Sequence, residues 1–274
     1  MGRVLVNGIP VEQVSVMDRG LAYGDGLFES IRFVGAVAPL WSRHMQRLAE
    51  GCRRLQIPLP DASQLWAEAL EVSRHLAHSV VRITVTRGQG ERGYALPSRP
   101  QPSRVLAAFA PPALVDENLD RGLDLRICDL RLAEQPQLAG IKHLNRLEQV
   151  LARAEWCDPA IAEGILRDTR GLVISATMAN LFARIDGELL TPAVDRCGVA
   201  GVARAELLAI CPQARIGEMT LEALLRASEI FLSSSVRGIL PVRSVGERTF
   251  QPGPSTRELQ QHWRNLGFSR EQAG

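Results

Sequence analysis

Leu138-Ala-Gly-Ile-Lys-His-Leu-Asn-Arg-Leu-Glu-Gln-Val150 holds the only lysine of a 274-residue chain: of 32 Lys plus Arg residues, 31 are arginine. The two bases are interchangeable on a solvated surface but not in covalent chemistry. A guanidinium stays protonated at physiological pH, whereas an amine can lose its proton, attack a carbonyl and form an imine. A genome that favours arginine codons explains the bulk of the count. It does not explain why Lys142 was kept. Leu147, Val150, Leu151 and Ala154 recur at helical spacing, which predicts a helix from about Asn145 to Cys157 with these residues on its apolar face. A lysine just ahead of a helix feels the positive end of its dipole, which favours the neutral amine. The plain alternative is a surface lysine before a helix cap.

Working outward, the spacing predicts strands at residues 3–7 and about 27–40, the latter turning at Gly35-Ala36. Ser42 is read as the N-cap of a helix to about Gln56, whose stripe is Met45, Leu48, Cys52 and Leu55. A second helix is expected over Ala62–Leu76, then β-rich runs at Val80–Thr86 and Arg104–Ala110. Beyond Lys142, strands are expected near Ala162–Arg167, Ala179–Ile185 and Glu229–Leu232, with one before it at Asp124–Leu130. Helices are expected at Val202–Ile210, Thr220–Arg226 and Ser255–Leu266, then a frayed tail, Ser269–Gly274. Hairpins and helices are segregated rather than alternating, so the class is α+β. Pro111-Pro112 and Asp116–Arg121 suggest a linker, giving an N-terminal domain 1–112, a linker 113–121 and a C-terminal domain 122–274 that carries the lysine.

The composition excludes several classes. With 30 acidic residues the net charge is +2, and 46% of residues are hydrophobic. Neither the basic excess of a phosphate-neutralising nucleic-acid binder nor the polarity of a disordered chain is present. No apolar run approaches a membrane span of about 18 residues, so no membrane partner is expected. The start, Met1-Gly-Arg-Val-Leu-Val-Asn-Gly-Ile-Pro10, reads as a strand and turn rather than a signal peptide. Five scattered cysteines without a Cys-x-x-Cys pair suggest buried thiols in a reducing compartment, hence a cytoplasmic protein without a catalytic metal.

Four stretches together resemble a known family. Gly140-Ile-Lys-His-Leu-Asn-Arg-Leu-Glu-Gln-Val150 is similar to the cofactor-lysine segment of the aminodeoxychorismate lyases, a family within the fold-type IV pyridoxal-phosphate enzymes. Asp18-Arg-Gly-Leu-Ala-Tyr-Gly-Asp-Gly-Leu-Phe-Glu29, Arg87-Gly-Gln-Gly-Glu-Arg-Gly-Tyr94 and Ala179-Asn-Leu-Phe182 agree in order and spacing. The resemblance covers essentially the whole chain. It implies a two-domain fold-type IV enzyme of the D-amino-acid aminotransferase type, a homodimer with pyridoxal 5'-phosphate between its two α+β domains.

The same resemblance assigns roles residue by residue. Lys142 would form the imine with the cofactor and later shuttle protons. An unperturbed lysine, pKa about 10.4, would be almost wholly protonated, so the site must depress it. Arg47, which shares a helix face with His44 at i+3, would hold the phosphate; a solvated helix arginine is the plain reading. Gly198-Val-Ala-Gly-Val-Ala-Arg204 resembles the phosphate loop, with the amides of Val202 and Ala203 as donors. Ser233-Ser-Ser235 resembles a third phosphate element, Ser235 being the preferred hydroxyl. Asn180 belongs to the cofactor-side Asn-Leu-Phe motif. Arg92 matches a substrate-carboxylate position, with Tyr94 two residues on. Tyr23 and Phe28 are candidates for the ring pocket, and core packing explains them equally well. Asn145 could orient the lysine loop or the cofactor's phenolic oxygen; both readings stay open.

One departure stands out. The family's glutamate for the pyridine nitrogen lies five residues before the Asn-Leu-Phe asparagine. Gly171-Leu-Val-Ile-Ser-Ala-Thr-Met-Ala-Asn-Leu-Phe182 places Ser175 there. A hydroxyl can hydrogen-bond but does not keep a pyridinium protonated as a carboxylate does. Transamination should suffer more than loss of pyruvate, which is driven by aromatisation. The expected activity is conversion of 4-amino-4-deoxychorismate to 4-aminobenzoate and pyruvate, for folate synthesis. A D-amino-acid or branched-chain aminotransferase is the first alternative, and a catalytically weakened paralogue acting as a binding protein the second.

Overall fold

The computed structural model describes residues 3–112 and 116–268. The chain forms two compact units: residues 1–112 with 141–145, and residues 113–140 with 146–274. The segment around Lys142 therefore belongs to the N-terminal unit, although the sequence divides the chain at a single point.

The N-terminal unit is built from β1 (Val4–Val6), α1 (Arg19–Tyr23), β2 (Gly26–Val34), α2 (Trp41–Leu55), α3 (Ala62–Ser73), β3 (His78–Thr86) and β4 (Ser103–Phe109). Its strands form an antiparallel sheet in the order β1-β4-β3-β2. Val81, Ile83 and Val85 of β3 alternate with Arg82 and Thr84, and the apolar set faces a core with Ile31, Phe33, Leu48 and Leu65. Trp41, Trp66 and Phe33 close that core with edge and tilted ring contacts. The expected stripe of α2 holds: Leu48 and Cys52 are buried, and Met45 and Leu55 pack against them. Its start is corrected. Leu40 is the N-cap and makes no side-chain cap bond, so Ser42 lies in the first turn. The strand expected to resume after Gly35 shrinks to one bridge between Val34 and Val37.

The C-terminal unit comprises α4 (Asp116–Arg121), β5 (Leu123–Leu132), α5 (Leu147–Arg153), β6 (Ile161–Asp168), β7 (Val173–Ala176), β8 (Asn180–Ile185), β9 (Glu188–Pro192), α6 (Val202–Ile210), β10 (Arg215–Gly217), α7 (Leu221–Leu225), β11 (Glu229–Ser234), β12 (Gly238–Val245), β13 (Arg248–Thr249) and α8 (Pro254–Asn265). One mixed sheet runs β10-β9-β8-β11-β12-β5-β6-β7, with β13 on β12. Its core gathers Ile165, Leu181, Ile230, Leu232 and Val242, and Phe182 stacks on Phe231 across the β8–β11 pair.

Two expectations fail here. Residues 116–121, read as linker, form helix α4; residues 113–115 and the tail 269–274 lie outside the described residues. The helix after the lysine is seven residues long and begins at Leu147, and its apolar face is not buried. Leu147 is 75% exposed and Val150 and Leu151 are each 60% exposed, whereas Ala152 is buried. Amphipathic spacing reports that a helix has an apolar face, not that its own unit covers it. No helix among the described residues is long and apolar enough to cross a membrane.

Candidate active site

In the N-terminal unit the lysine segment pairs with the start of β2. Phe28 N donates to Lys142 O at 3.0 Å, Leu144 N donates to Gly26 O at 3.0 Å, and Leu27 bridges His143. Ile141 packs into the core beside Leu27, which anchors the backbone one residue before the lysine. The Lys142 Nζ lies 4.2 Å from the centroid of the Phe28 ring. Arg82 Cζ lies 4.2 Å from the same centroid. Across the β2–β3 pair Phe28 faces Thr84 and Ser30 faces Arg82, so Arg82 reaches Phe28 on the diagonal. Two cations thus meet at one aromatic ring.

Glu29, next on β2, faces the other side and is 1% exposed. It engages Arg47 with both oxygens, Nε to Oε1 at 2.8 Å and Nη2 to Oε2 at 2.5 Å. His44, one turn earlier on α2, meets Oε2 through Nδ1 at 2.6 Å. Burial pushes the Glu29 carboxyl up, but Arg47 and His44 outweigh it and hold the pKa at about 2. Burial pushes His44 down; the Glu29 carboxylate opposes this, while Arg47 and Lys142 add to it, and the net shift is downward. The downward shift favours the neutral imidazole, and in the tautomer protonated at Nδ1 its N–H donates to the carboxylate.

The loop residues gather elsewhere in this unit. The Tyr23 hydroxyl accepts from Gly93 N at 3.0 Å, and the Tyr23 and Tyr94 rings lie 5.4 Å apart. Arg19 reaches Gly93 O and, with Arg87, holds Asp25, whose carboxyl is raised by burial but lowered on balance by the two guanidiniums. Tyr94 and Arg92 are exposed, and among the described residues Arg92 forms no hydrogen bond or ion pair. Asn145 Nδ2 donates to Gly24 O at 3.3 Å, and a Cβ on Gly24 would fall 2.3 Å from Asn145 Oδ1. Asn145 thus orders the lysine segment against the α1–β2 turn.

The C-terminal unit assembles a second group. Asn180 opens β8, donates through Nδ2 to Val199 O at 2.9 Å and pairs with Ser233 of β11. A Cβ on Gly201 would fall 1.9 Å from Asn180 Oδ1, so only glycine allows this approach. Gly140 binds the same loop, donating to Gly198 O and accepting from Ala200 N, each at 3.0 Å. Gly201 is the N-cap of α6 and brings no side-chain cap, and α6 has no acid in its first turn. Ser175 and Asn180 flank a turn closed by Ala176 N to Ala179 O at 2.9 Å. Ser235 follows β11, where Ser234 Oγ accepts from Val236 N and Arg237 N. Ser233 Oγ is buried with no protein hydrogen-bond partner.

Three residues that sequence reasoning did not single out stand in these groups. Glu29 orders Arg47, Arg82 flanks the lysine's aromatic seat, and Glu163 is a fully buried carboxylate. Glu163 takes Thr177 N at 3.1 Å, the Thr177 hydroxyl and the Arg237 guanidinium. It thereby ties the 176–179 turn to the turn after β11. The alternation of β3 was a usable signal for Arg82; nothing local marks Glu163.

Comparison with known proteins points one way. The model of a family described as amino-transferase class IV matches residues 26–245. An aminodeoxychorismate lyase from Vibrio harveyi is 35% identical over 263 residues, which is 93% of this chain and 97% of that protein. A crystal structure of 4-amino-4-deoxychorismate lyase from Pseudomonas aeruginosa is 46% identical, with a TM-score of 0.91 over 96% of this chain and 98% of the other. The branched-chain amino acid aminotransferase of Escherichia coli superposes with a TM-score of 0.85 at 26% identity, covering 100% of this chain and 97% of its own.

Proposed function

The chain belongs to the class IV amino-transferase family, and on that premise we propose that it is a pyridoxal-phosphate-dependent lyase that converts 4-amino-4-deoxychorismate to 4-aminobenzoate and pyruvate. The observation that carries this reading is its greater identity, over nearly the whole chain, to the two lyases than to the aminotransferase. Folate synthesis is the use we assign to the product, and the cytoplasm its place. We also assign a homodimer: the uncovered apolar face of α5 at Leu147, Val150 and Leu151 is the kind of surface a second copy buries.

Enzymes of this family use pyridoxal phosphate, and the residues here fit that group. The amine of Lys142 is the one side chain able to carry it as an imine. A phosphate needs donors without a competing acid; the first turn of α6 has neither a side-chain cap nor an acid, and Gly201 admits close approach. Arg47, the amides of Val202 and Ala203, and Ser235 would hold the phosphate. A guanidinium has five donors, and Glu29 fixes the plane of Arg47 by engaging two of them. Ser175 and Asn180 would meet the ring edge.

When bound, the cofactor supplies an electron sink for a carbanion at the ring carbon bearing the substrate amine. Lys142 Nζ then takes the proton from that carbon. The enolpyruvate carbon–oxygen bond breaks as the ring becomes aromatic, and a proton delivered to the enol carbon gives pyruvate. Atoms balance without an oxidant or added water. The substrate carries two carboxylates, for which we propose Arg82 and Arg92, with Tyr23, Tyr94 and Phe28 lining the ring. Arg82→Met should raise KM about 10- to 100-fold, the loss of one charge-assisted bond, and leave the visible cofactor band in place. Loss of the band together with turnover would instead assign Arg82 to cofactor binding.

Aminotransfer remains a second reading because of the family's other members. Ser175 argues against it, since a neutral partner at the pyridine nitrogen leaves a weaker electron sink. Ser175→Glu is expected to increase half-transamination with single amino acids, read as conversion of bound cofactor to its aminated form with release of a 2-oxo acid. An unchanged rate of both reactions would remove the argument from Ser175.

A further inference from the structure

Helix α6 begins against the usual electrostatic rule. A helix N-terminus carries partial positive charge, and acids are favoured in its first turn. Here the first turn holds no acid, and its third residue is Arg204. Arg204 is 7% exposed. Its Nε donates to Thr191 Oγ1 at 3.2 Å and its Nη2 to Pro192 O at 3.0 Å. Both acceptors are neutral, and the Thr191 hydroxyl spends its own proton on Leu181 O at 2.8 Å. Burial lowers the Arg204 pKa, and no carboxylate opposes that shift. Arg19 and Arg87, buried in the N-terminal unit, by contrast share the Asp25 carboxylate. A guanidinium nonetheless remains charged, and an unmatched buried charge is strongly disfavoured unless an anion answers it.

The charge and the loop are joined. The Cβ of Arg204 lies 3.7 Å from where a Gly201 Cβ would sit, and Gly201 in turn abuts Asn180, which holds Val199. The Arg204 Cβ therefore stands where the 198–203 loop turns into the helix, and its guanidinium reaches to Thr191 and Pro192 at the end of β9, a positive charge in the first turn that adds to the helix dipole rather than offsetting it.

We propose that Arg204 is a positioning residue for the cofactor phosphate: its buried, unmatched charge at the third position of α6 strengthens anion binding by the amides of Val202 and Ala203, and its bond to Pro192 keeps that loop in register. The proposal rests on the cofactor reading above. It says that the site is built with one positive charge too many, and that a phosphate dianion answers it. Local rules broken without a compensating contact inside the protein are the mark of a functional position. The guanidinium acts through the loop and the helix, not by touching the reacting atoms.

The test titrates apo protein with pyridoxal 5'-phosphate and, separately, with pyridoxal, which lacks the phosphate; the visible absorbance of bound cofactor is followed in each. Arg204→Gln should weaken pyridoxal phosphate about 10- to 100-fold and leave pyridoxal binding unchanged. Arg204→Lys, which restores charge, should recover most of the loss. Inorganic phosphate should raise the melting temperature of wild-type and Arg204→Lys apo protein, but not that of Arg204→Gln. Equal losses for both ligands, or no rescue by lysine, would overturn the proposal. Failure of both variants to fold would also overturn it, by assigning Arg204 to the fold. A wild-type chain that binds pyridoxal but gains nothing from the phosphate also refutes it. One that binds neither ligand refutes the cofactor reading itself, and the two failures are thus distinct.

Discussion

Lys142→Ala is expected to abolish both the visible absorbance of bound cofactor and turnover, on the order of 10³-fold or more in kcat. The expectation follows from chemistry that no other side chain of this protein can supply. All the remaining cationic bases are arginines, and an arginine does not form the imine or accept a proton at neutral pH. The fold should survive the substitution. The backbone of residue 142 pairs with Phe28 through its carbonyl oxygen, and Ile141 supplies the core contact; both are kept in alanine. The side chain itself gives up its place at the Phe28 ring. Circular dichroism and the melting temperature should therefore stay near wild type. A variant that lost structure along with the absorbance band would show instead that the lysine is part of the fold.

The second large effect concerns Glu29. Its carboxylate is buried and holds Arg47 and His44 at once. Glu29→Ala leaves the Arg47 guanidinium without its bidentate partner. Breaking such a pair by removing one member costs about 3–5 kcal/mol, which for a chain of this size is a melting temperature lower by roughly 10 °C. Cofactor affinity should fall as well, because the bidentate contact that orients Arg47 is lost. The ion pair also sets a pH window. The carboxyl ionises more readily in the folded chain, at about 2, than at its ordinary value of 4.5. The folded state thus binds fewer protons between those values, and stability rises with pH there. Glu29 contributes on the order of 3 kcal/mol above about pH 4.5, and that contribution is lost as pH falls toward 2. Melting curves of wild type and Glu29→Gln between pH 2 and 5 should converge at the acid end. A difference independent of pH would mean that the group contributes shape rather than charge.

Elements with strong periodicity were readable in the sequence. Leu48 and Cys52 marked the buried side of α2, and α6 spans the residues its pattern implied. No strand was expected at β12, where Gly238 and Pro241 disfavour one, yet Pro241 sits within the ladder to Phe231. For α5 the spacing marked an apolar face, and that face is exposed, since periodicity does not say what covers a face.

The candidate site divides the same way. Lys142 could be singled out because one residue type carries its chemistry. Gly201 owes its place to a close approach by Asn180, which is visible only in the folded chain. Glu163 and Arg237 are 74 residues apart, and no local pattern links them. Arg82 was readable in principle: β3 alternates, and a lone arginine opposite its apolar face is a signal. Arg92 is marked only by the glycine-bounded loop that carries it, and among the described residues no ring contact joins it to the Phe28 ring that Lys142 and Arg82 share.

The central claim is that this chain removes pyruvate from 4-amino-4-deoxychorismate with Lys142 as its acid–base group. It is tested most directly by supplying that compound, generated enzymatically, to purified holoenzyme and measuring both products. The account predicts pyruvate and 4-aminobenzoate in equal amounts from the wild-type chain, and neither from Lys142→Ala. No pyruvate from the wild type, with the bound cofactor instead converted to its aminated form by single amino acids, would contradict it.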